Sequence, residues 1–290
     1  MKRRQLLALL SFAALPVWAS RERFERGVLW RVTRNGAAPN HVYGTMHDPD
    51  PRLAELPKPV STAFERSKSL VVEFLPNAYT EERFLEAAMF MDGQTLRDKI
   101  GAQDFERALE HLAPIGLTRD FVNKLKPWGV LVNLRGPAAA ASNGIESQLI
   151  GRARARRMAL AQIEGVEEQI FTFDECPMES QVALLRHSLA HRAELAELGE
   201  RTLAAYLARD LGAIWRLREE FVGRYPEVAA HQAVMTKRVL HDRSVVMAYR
   251  MQRELRRGDA FVALGALHLY GSKGVLALLG QDGYRVTKVF

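Results

Sequence analysis

The chain has 290 residues, 48% of them apolar, enough to bury a sizeable core in one large domain or two modest ones. No long stretch lacks apolar residues, which excludes a disordered chain. The formal charge of +7 points to nucleic acid only until it is located. Lys2, Arg3 and Arg4 carry three of those charges in a leader, and most other arginines alternate with glutamates, so no nucleic-acid partner is expected. The one dense cluster, GRARARR at 151–157, reads as a solvated helix face.

In chain order, the first element is MKRRQLLALLSFAALPVWAS. Its basic start, its apolar run from Leu6 to about Leu15 and the small-residue context ending at Ala19 predict a cleavable signal peptide over 1–19. The apolar run is too short to stay in a bilayer, and no other stretch approaches the length of a span. Arg3-Arg4 partly matches a twin-arginine signal, but the upstream Ser/Thr is missing, so the general secretory route is preferred. The expected location is the periplasm or the medium, with no transmembrane segment in the mature chain.

The pattern then predicts a strand at 27–33, a turn at Asn35-Gly36 and a returning strand that ends at HVYG (41–44). A helix over 56–68 leads into SLVVEFL (69–75), a buried-strand pattern that closes on Glu73. Helical periodicity covers 80–91, 102–113, 118–134 and 145–157, with RGPAAAASNG (135–144) as a flexible loop. MALAQIE (158–164) reads as a further strand ending on Glu164. From Glu167 to Arg257 the chain is helical, with breaks expected at Pro177, Gly212 and Pro226. A strand at 260–266, a helix from about Lys273 to Leu279 and a strand at 284–290 complete it. Strands at both ends with helices between them predict one α/β domain over 20–290. Its central mixed or parallel sheet is built from the N- and C-terminal segments and covered by helices, with a large helical insertion at about 79–258.

Two apolar runs end in the same way: GTMH places Gly44 three residues before His47, and GALH places Gly265 three residues before His268. Ligands of open α/β sheets bind beyond the carboxyl ends of the strands. If the strands are parallel neighbours, His47, His268, Glu73 and Glu164 converge on one rim. Glycine at a strand end lets the backbone turn tightly or approach a ligand closely. Two neutral imidazoles and a carboxylate suit a divalent transition metal, and a spare carboxylate can act as general base. A strand-end glutamate also has a plain structural use in capping the next helix, and Glu164 in EGVEEQ fits that use well.

Other candidates are weaker. His187 and His191 share a helical face, but the His-Glu-x-x-His motif is absent, so they read as a helix surface. Arg243, at the head of a helix, binds a carboxylate, orients Glu73 or makes an intrahelical pair. Cys176 is the only cysteine and lies beside two acids that would raise its pKa, so it reads as structural. The Gly-x-Ser-x-Gly, Ser-x-x-Lys, P-loop and Gly-x-Gly-x-x-Gly motifs are all missing, which removes most support for serine hydrolase, NTPase and dehydrogenase readings.

Together, VYGTMHDPDPRLAELPKPVSTAFERSKSLVVEF, KPW (126–128), GIESQLIGRARARRMALAQIEGVEEQI, HDRSVVMAYRM and FVALGALHLYGSKGVLALLGQDGYRVTKV resemble the TraB/GumN family, related to bacterial pheromone-shutdown proteins and animal Tiki metalloproteases. The resemblance runs in order from about residue 28 to the C-terminus. It implies an erythromycin-esterase/ChaN-like α/β fold and, from the Tiki branch, a peptidase dependent on a divalent metal (Mn, Co or Zn). Carried over by position, His47, His268 and Glu73 are the implied metal-site residues, with Arg243 matching a family arginine. Gly144-Ile145-Glu146 stands where the family has Gly-hydrophobic-Asp, and Ser244 stands where it commonly has Asn.

The expected activity is therefore that of an exported metal-dependent hydrolase, acting on a peptide or small molecule. His47, His268, Glu73 and Arg243 are its expected catalytic residues, and Gly44, Gly265, Glu146 and Glu164 are further candidates. The alternative is a non-catalytic protein that sequesters haem or a small peptide on the same fold. A third reading has the histidines merely bracing the sheet.

Overall fold

The computed structural model describes residues 24–48, 50–134 and 144–290. The leader and most of the expected loop at 135–144 lie outside the described residues. The fold is α/β, built on a six-stranded mixed sheet. Its strands are β1 (Leu29–Thr33), β2 (Asn40–Thr45), β3 (Ser69–Val72), β4 (Ala159–Gln162), β5 (Ala260–Gly265) and β6 (Arg285–Lys288). They lie in the order β4-β3-β5-β2-β1-β6. The first four of that order are parallel to their neighbours; β1 runs antiparallel to both β2 and β6.

The composition of each strand suits its place. The central β5, AFVALG, is apolar almost throughout, as a strand covered on both faces must be. At the edge, β6 buries Val286 and exposes Arg285, Thr287 and Lys288, charges that discourage pairing with another sheet. Buried Asn40 ties β2 to β5: its side-chain amide donates to the Leu255 carbonyl (2.9 Å) and its oxygen accepts from the Ala260 N–H (3.0 Å). Gly36 takes up φ +84° in the β1–β2 turn, a conformation that favours glycine.

A core cluster surrounds the sheet, including Leu29, Val32, Val42, Phe64, Leu70, Val262 and Leu276. A second cluster, with Leu96, Phe105, Leu112, Trp128, Leu185 and Leu189, holds together helices from the 78–134 region and the Met178–Ala190 helix.

Several boundaries differ from the sequence expectation. The helix expected over 118–134 is two helices, Arg119–Lys124 and Pro127–Asn133, because Pro127 starts a new helix more readily than it continues one. The break expected at Gly212 falls just before it, at 208–210: Gly212 itself lies in the first turn of the Leu211–Arg224 helix, whose N-cap is Asp210, and a Cβ there would strike the Glu25 side chain. The expected run from Glu167 to Arg257 also contains an unforeseen π-helical stretch, Lys237–Asp242, immediately before the Arg243–Arg250 helix. Such turns favour functional positions because they re-aim the residues that follow.

Candidate metal centre at the strand ends

Four adjacent parallel strands deliver four chemical groups to one rim. Glu164 follows β4, Glu73 follows β3, His268 follows β5 and His47 follows β2. Strands β2 and β5 pair with Gly44 opposite Leu264 and Thr45 opposite Gly265, which sets the two Gly-x-x-His stretches side by side. Their glycines permit that approach. A Cβ on Gly44 would lie 2.8 Å from Leu269 Cδ1 and 3.1 Å from Ala266 Cα; one on Gly265 would lie 3.2 Å from Glu73 Oε1.

Glu73 is buried and held on both oxygens. The Gly265 N–H donates to Oε1 (2.6 Å) and Arg243 Nη2 donates to Oε2 (2.7 Å). Arg243 also forks onto Glu164, from Nη2 at 2.6 Å and Nε at 3.0 Å, and its Nη1 lies 3.4 Å from the Val239 carbonyl oxygen. The backbone reinforces this bridge, since the Glu164 N–H donates to the Glu73 carbonyl (2.9 Å). Burial alone would push the Glu73 carboxyl up. The opposing influence of His268, Arg243, His47 and the Gly265 N–H holds it well below the usual carboxylate range. Burial likewise works against charge on Arg243, and its two glutamates reverse that and raise it.

Burial pushes His268 down to about 4, against the pull of Glu73. It is therefore neutral at pH 7, and Arg243 is the cation that keeps Glu73 ionised there. Ser244 Oγ donates to the Leu240 carbonyl (2.6 Å) and lies 2.9 Å from His268 Nδ1. With its single proton so engaged, the serine accepts from Nδ1–H, which assigns the tautomer. The lone pair of His268 Nε2 is then free, 4.0 Å from Glu73 Oε1.

Glu146 completes the rim from the first turn of the Ile145–Ala155 helix, where the helix dipole also favours an acid. Its Oε1 accepts from Thr45 Oγ1 (2.7 Å) and lies 3.7 Å from His47 Nε2. Burial, aided by the charge of Glu73, pushes Glu146 up to about 7, while His47, Thr45 and Arg243 pull the other way. The His47 side chain is 56% exposed and free to adjust. Donor atoms of His47, Glu73 and Glu146 lie within 4.8 Å of one another. One imidazole and two carboxylates, with the His268 lone pair beside them, fit a divalent cation of borderline character.

The structure thus brings together His47, Glu73, Glu146 and His268, with Arg243 and Glu164 behind Glu73. Of the readings open for Arg243, the geometry selects the one in which it orients Glu73; Asp242 pairs instead with Lys237. Thr45, which holds Glu146, was missed, although it lies inside the first Gly-x-x-His stretch. Tyr206, whose hydroxyl donates to the Gly44 carbonyl (2.8 Å), carries no signal in the sequence, since it lies within a long helix with nothing to distinguish it. Cys176 is buried, and burial rather than its acidic neighbours pushes its thiol up. Five of the seven GRARARR residues are exposed arginines or glycine, with Ala155 exposed as well and Ala153 buried.

Fold and rim together define an α/β protein with a His/Glu cluster at the carboxyl ends of its parallel strands. The chain belongs to the TraB/PrgY/gumN family, whose family model matches residues 28–288. It is 24% identical over 256 residues to the uncharacterized protein YbaP of Shigella flexneri, a match covering 86% of this chain and 90% of that protein. It is also 24% identical over 311 residues to the metalloprotease TIKI2 of Xenopus tropicalis, covering 89% of this chain and 59% of that one. The chain therefore spans less than two thirds of the TIKI2 length. No solved structure matches, so the erythromycin-esterase/ChaN likeness stays an expectation from the family resemblance. Among the described residues, no helix is long and apolar enough to cross a membrane.

Proposed function

We propose that the chain is an exported, metal-dependent hydrolase that acts on peptides. The observation that carries this reading is the convergence of His47, Glu73 and Glu146 donor atoms within 4.8 Å of one another at the ends of parallel strands. Membership of the TraB/PrgY/gumN family and the similarity to a protein named as a metalloprotease support the same chemistry. The leader-like N-terminus supports export.

In this reading His47, Glu73 and Glu146 hold Mn, Co or Zn, and His268 Nε2 is available as a further donor. The metal would supply a bound water of lowered pKa and polarise the scissile carbonyl. The chain's own groups do the rest. Ser244 fixes the His268 tautomer, Arg243 and the Gly265 N–H hold Glu73 in one rotamer, and Thr45 aims Glu146 toward His47. Of the two carboxylates, Glu146, pushed up to about 7, is the one at hand for proton transfer to a leaving amine.

The test is metal analysis of the purified mature chain, followed by a peptide-library screen with each metal added back. His47→Ala and Glu73→Gln should weaken metal uptake by about tenfold or more and abolish cleavage. Equal uptake by wild type and both variants would overturn the metal site. Ligand retained through purification, with no cleavage under any metal, would overturn the hydrolase in favour of sequestration.

A further inference from the structure

A second pair of histidines lies away from the rim, at the junction of the Met178–Ala190 and Arg192–Leu207 helices. His187 and His191 are one helical turn apart, with ring centroids separated by 4.5 Å. The ring of Tyr225 packs against both imidazoles, at 4.5 Å from each, and so backs the pair from one side.

The hydrogen bonding around the pair leaves His187 Nε2 without a partner. His191 Nδ1 lies 2.9 Å from Glu194 Oε1, and the other Glu194 oxygen accepts from the Tyr225 hydroxyl. Those two hydrogen bonds, led by that of Tyr225, hold Glu194 below the usual carboxylate range, so it is an acceptor. Nδ1 of His191 must then carry a proton, and in the neutral ring Nε2 presents its lone pair. His187 is 8% exposed, and its Nε2 is buried with no hydrogen-bond partner. A buried polar atom in that state is destabilising and calls for a water or an ion. The carboxylate of Glu194 behind His191 is the arrangement that fixes and strengthens a metal-binding imidazole.

We propose that His187 and His191 form a second metal site, selective for imidazole-seeking divalent ions such as Ni, Cu or Zn. Two imidazoles whose rings lie 4.5 Å apart at a helix end can offer two nitrogens to one ion, and Ni or Cu favours an imidazole pair over the carboxylate-rich rim. The site is independent of the proposed hydrolase chemistry and stands or falls separately from it.

Calorimetric titration of the full mature chain with Ni tests the proposal. Wild type and Glu73→Gln should both show a binding event that the His187→Gln/His191→Gln double variant loses by tenfold or more. His191→Gln alone alters a part-exposed side chain and provides the arm least exposed to misfolding. Added Ni should raise the melting temperature of wild type and Glu73→Gln but not of His191→Gln. Unchanged Ni affinity and an unchanged Ni-dependent melting shift in His191→Gln would overturn the second site. A loss confined to Glu73→Gln would also overturn it, because the ion would then belong to the rim.

Discussion

The two histidine pairs are assembled by different means. His187 and His191 meet because they lie four residues apart, His187 in the last turn of the Met178–Ala190 helix and His191 at its C-cap. Their partner Glu194 follows in the first turn of the next helix, and Tyr225 comes from the junction of the two helices after that. His47 and His268 are far apart in the chain and share a rim only because β2 and β5 are parallel neighbours. The rim is also interlocked: Arg243 bridges Glu73 and Glu164, and Glu73 receives the Gly265 N–H. Disturbing one rim group therefore disturbs several, whereas the helical pair has one carboxylate hydrogen-bonded to it and packs against the rings of Tyr225 and Phe221. Interdependence of buried charges is the property that distinguishes the two regions, and it can be measured.

Arg243→Ala should produce the largest effect. It leaves Glu73 and Glu164 buried against each other without a cation, a loss of about 3–5 kcal/mol in chemical denaturation. A loss below about 1 kcal/mol would show that the rim is no more interlocked than the helical pair.

The next effect is pH dependence through His268. Its folded value of about 4 lies below the ordinary 6.5, so between those values the unfolded chain binds more protons than the folded one. The stability from burying it neutral is fully present above about 6.5 and is lost as pH falls through about 4. The whole window is worth on the order of 3 kcal/mol. Denaturation curves between pH 7 and 4 should be flatter for His268→Gln than for wild type, and identical slopes would contradict the assignment. Glu73 acts in a lower window: its stabilising charge is lost only as pH drops below the ordinary carboxylate value toward about 2.

A smaller effect is expected from Gly265→Ala. The new Cβ would sit 3.2 Å from Glu73 Oε1, so that side chain must give way, while His268 Cδ2 at 3.5 Å stays in ordinary contact. The cost should be about 1–3 kcal/mol, with metal affinity falling alongside it. Unchanged metal affinity would mean that Glu73 reaches the rim without the Gly265 contact.

Much of the sheet was legible because each strand has its own local signature. The apolar run of β5, the alternation in β1 and the turn at Asn35-Gly36 each lie within a few residues. Strand-end residues were legible for the same reason, since Gly44, His47, Glu73, Glu164, Gly265 and His268 each follow a recognisable run. The π-helical turn before Arg243 was not legible. Its sequence, KRVLHD, has no feature that separates it from an ordinary helical turn, and only packing selects the wider winding.

Local pattern thus settled the elements, the presence of two Gly-x-x-His stretches and the family to which they point. The tertiary fold alone decided the strand order that makes β2 and β5 neighbours, and with it the meeting of His47 with Glu146 and of Arg243 with both glutamates. Separation along the chain carries no information about which strands share hydrogen bonds. The burial that orders the sheet is non-directional, and only the assembled core determines which strand ends stand side by side.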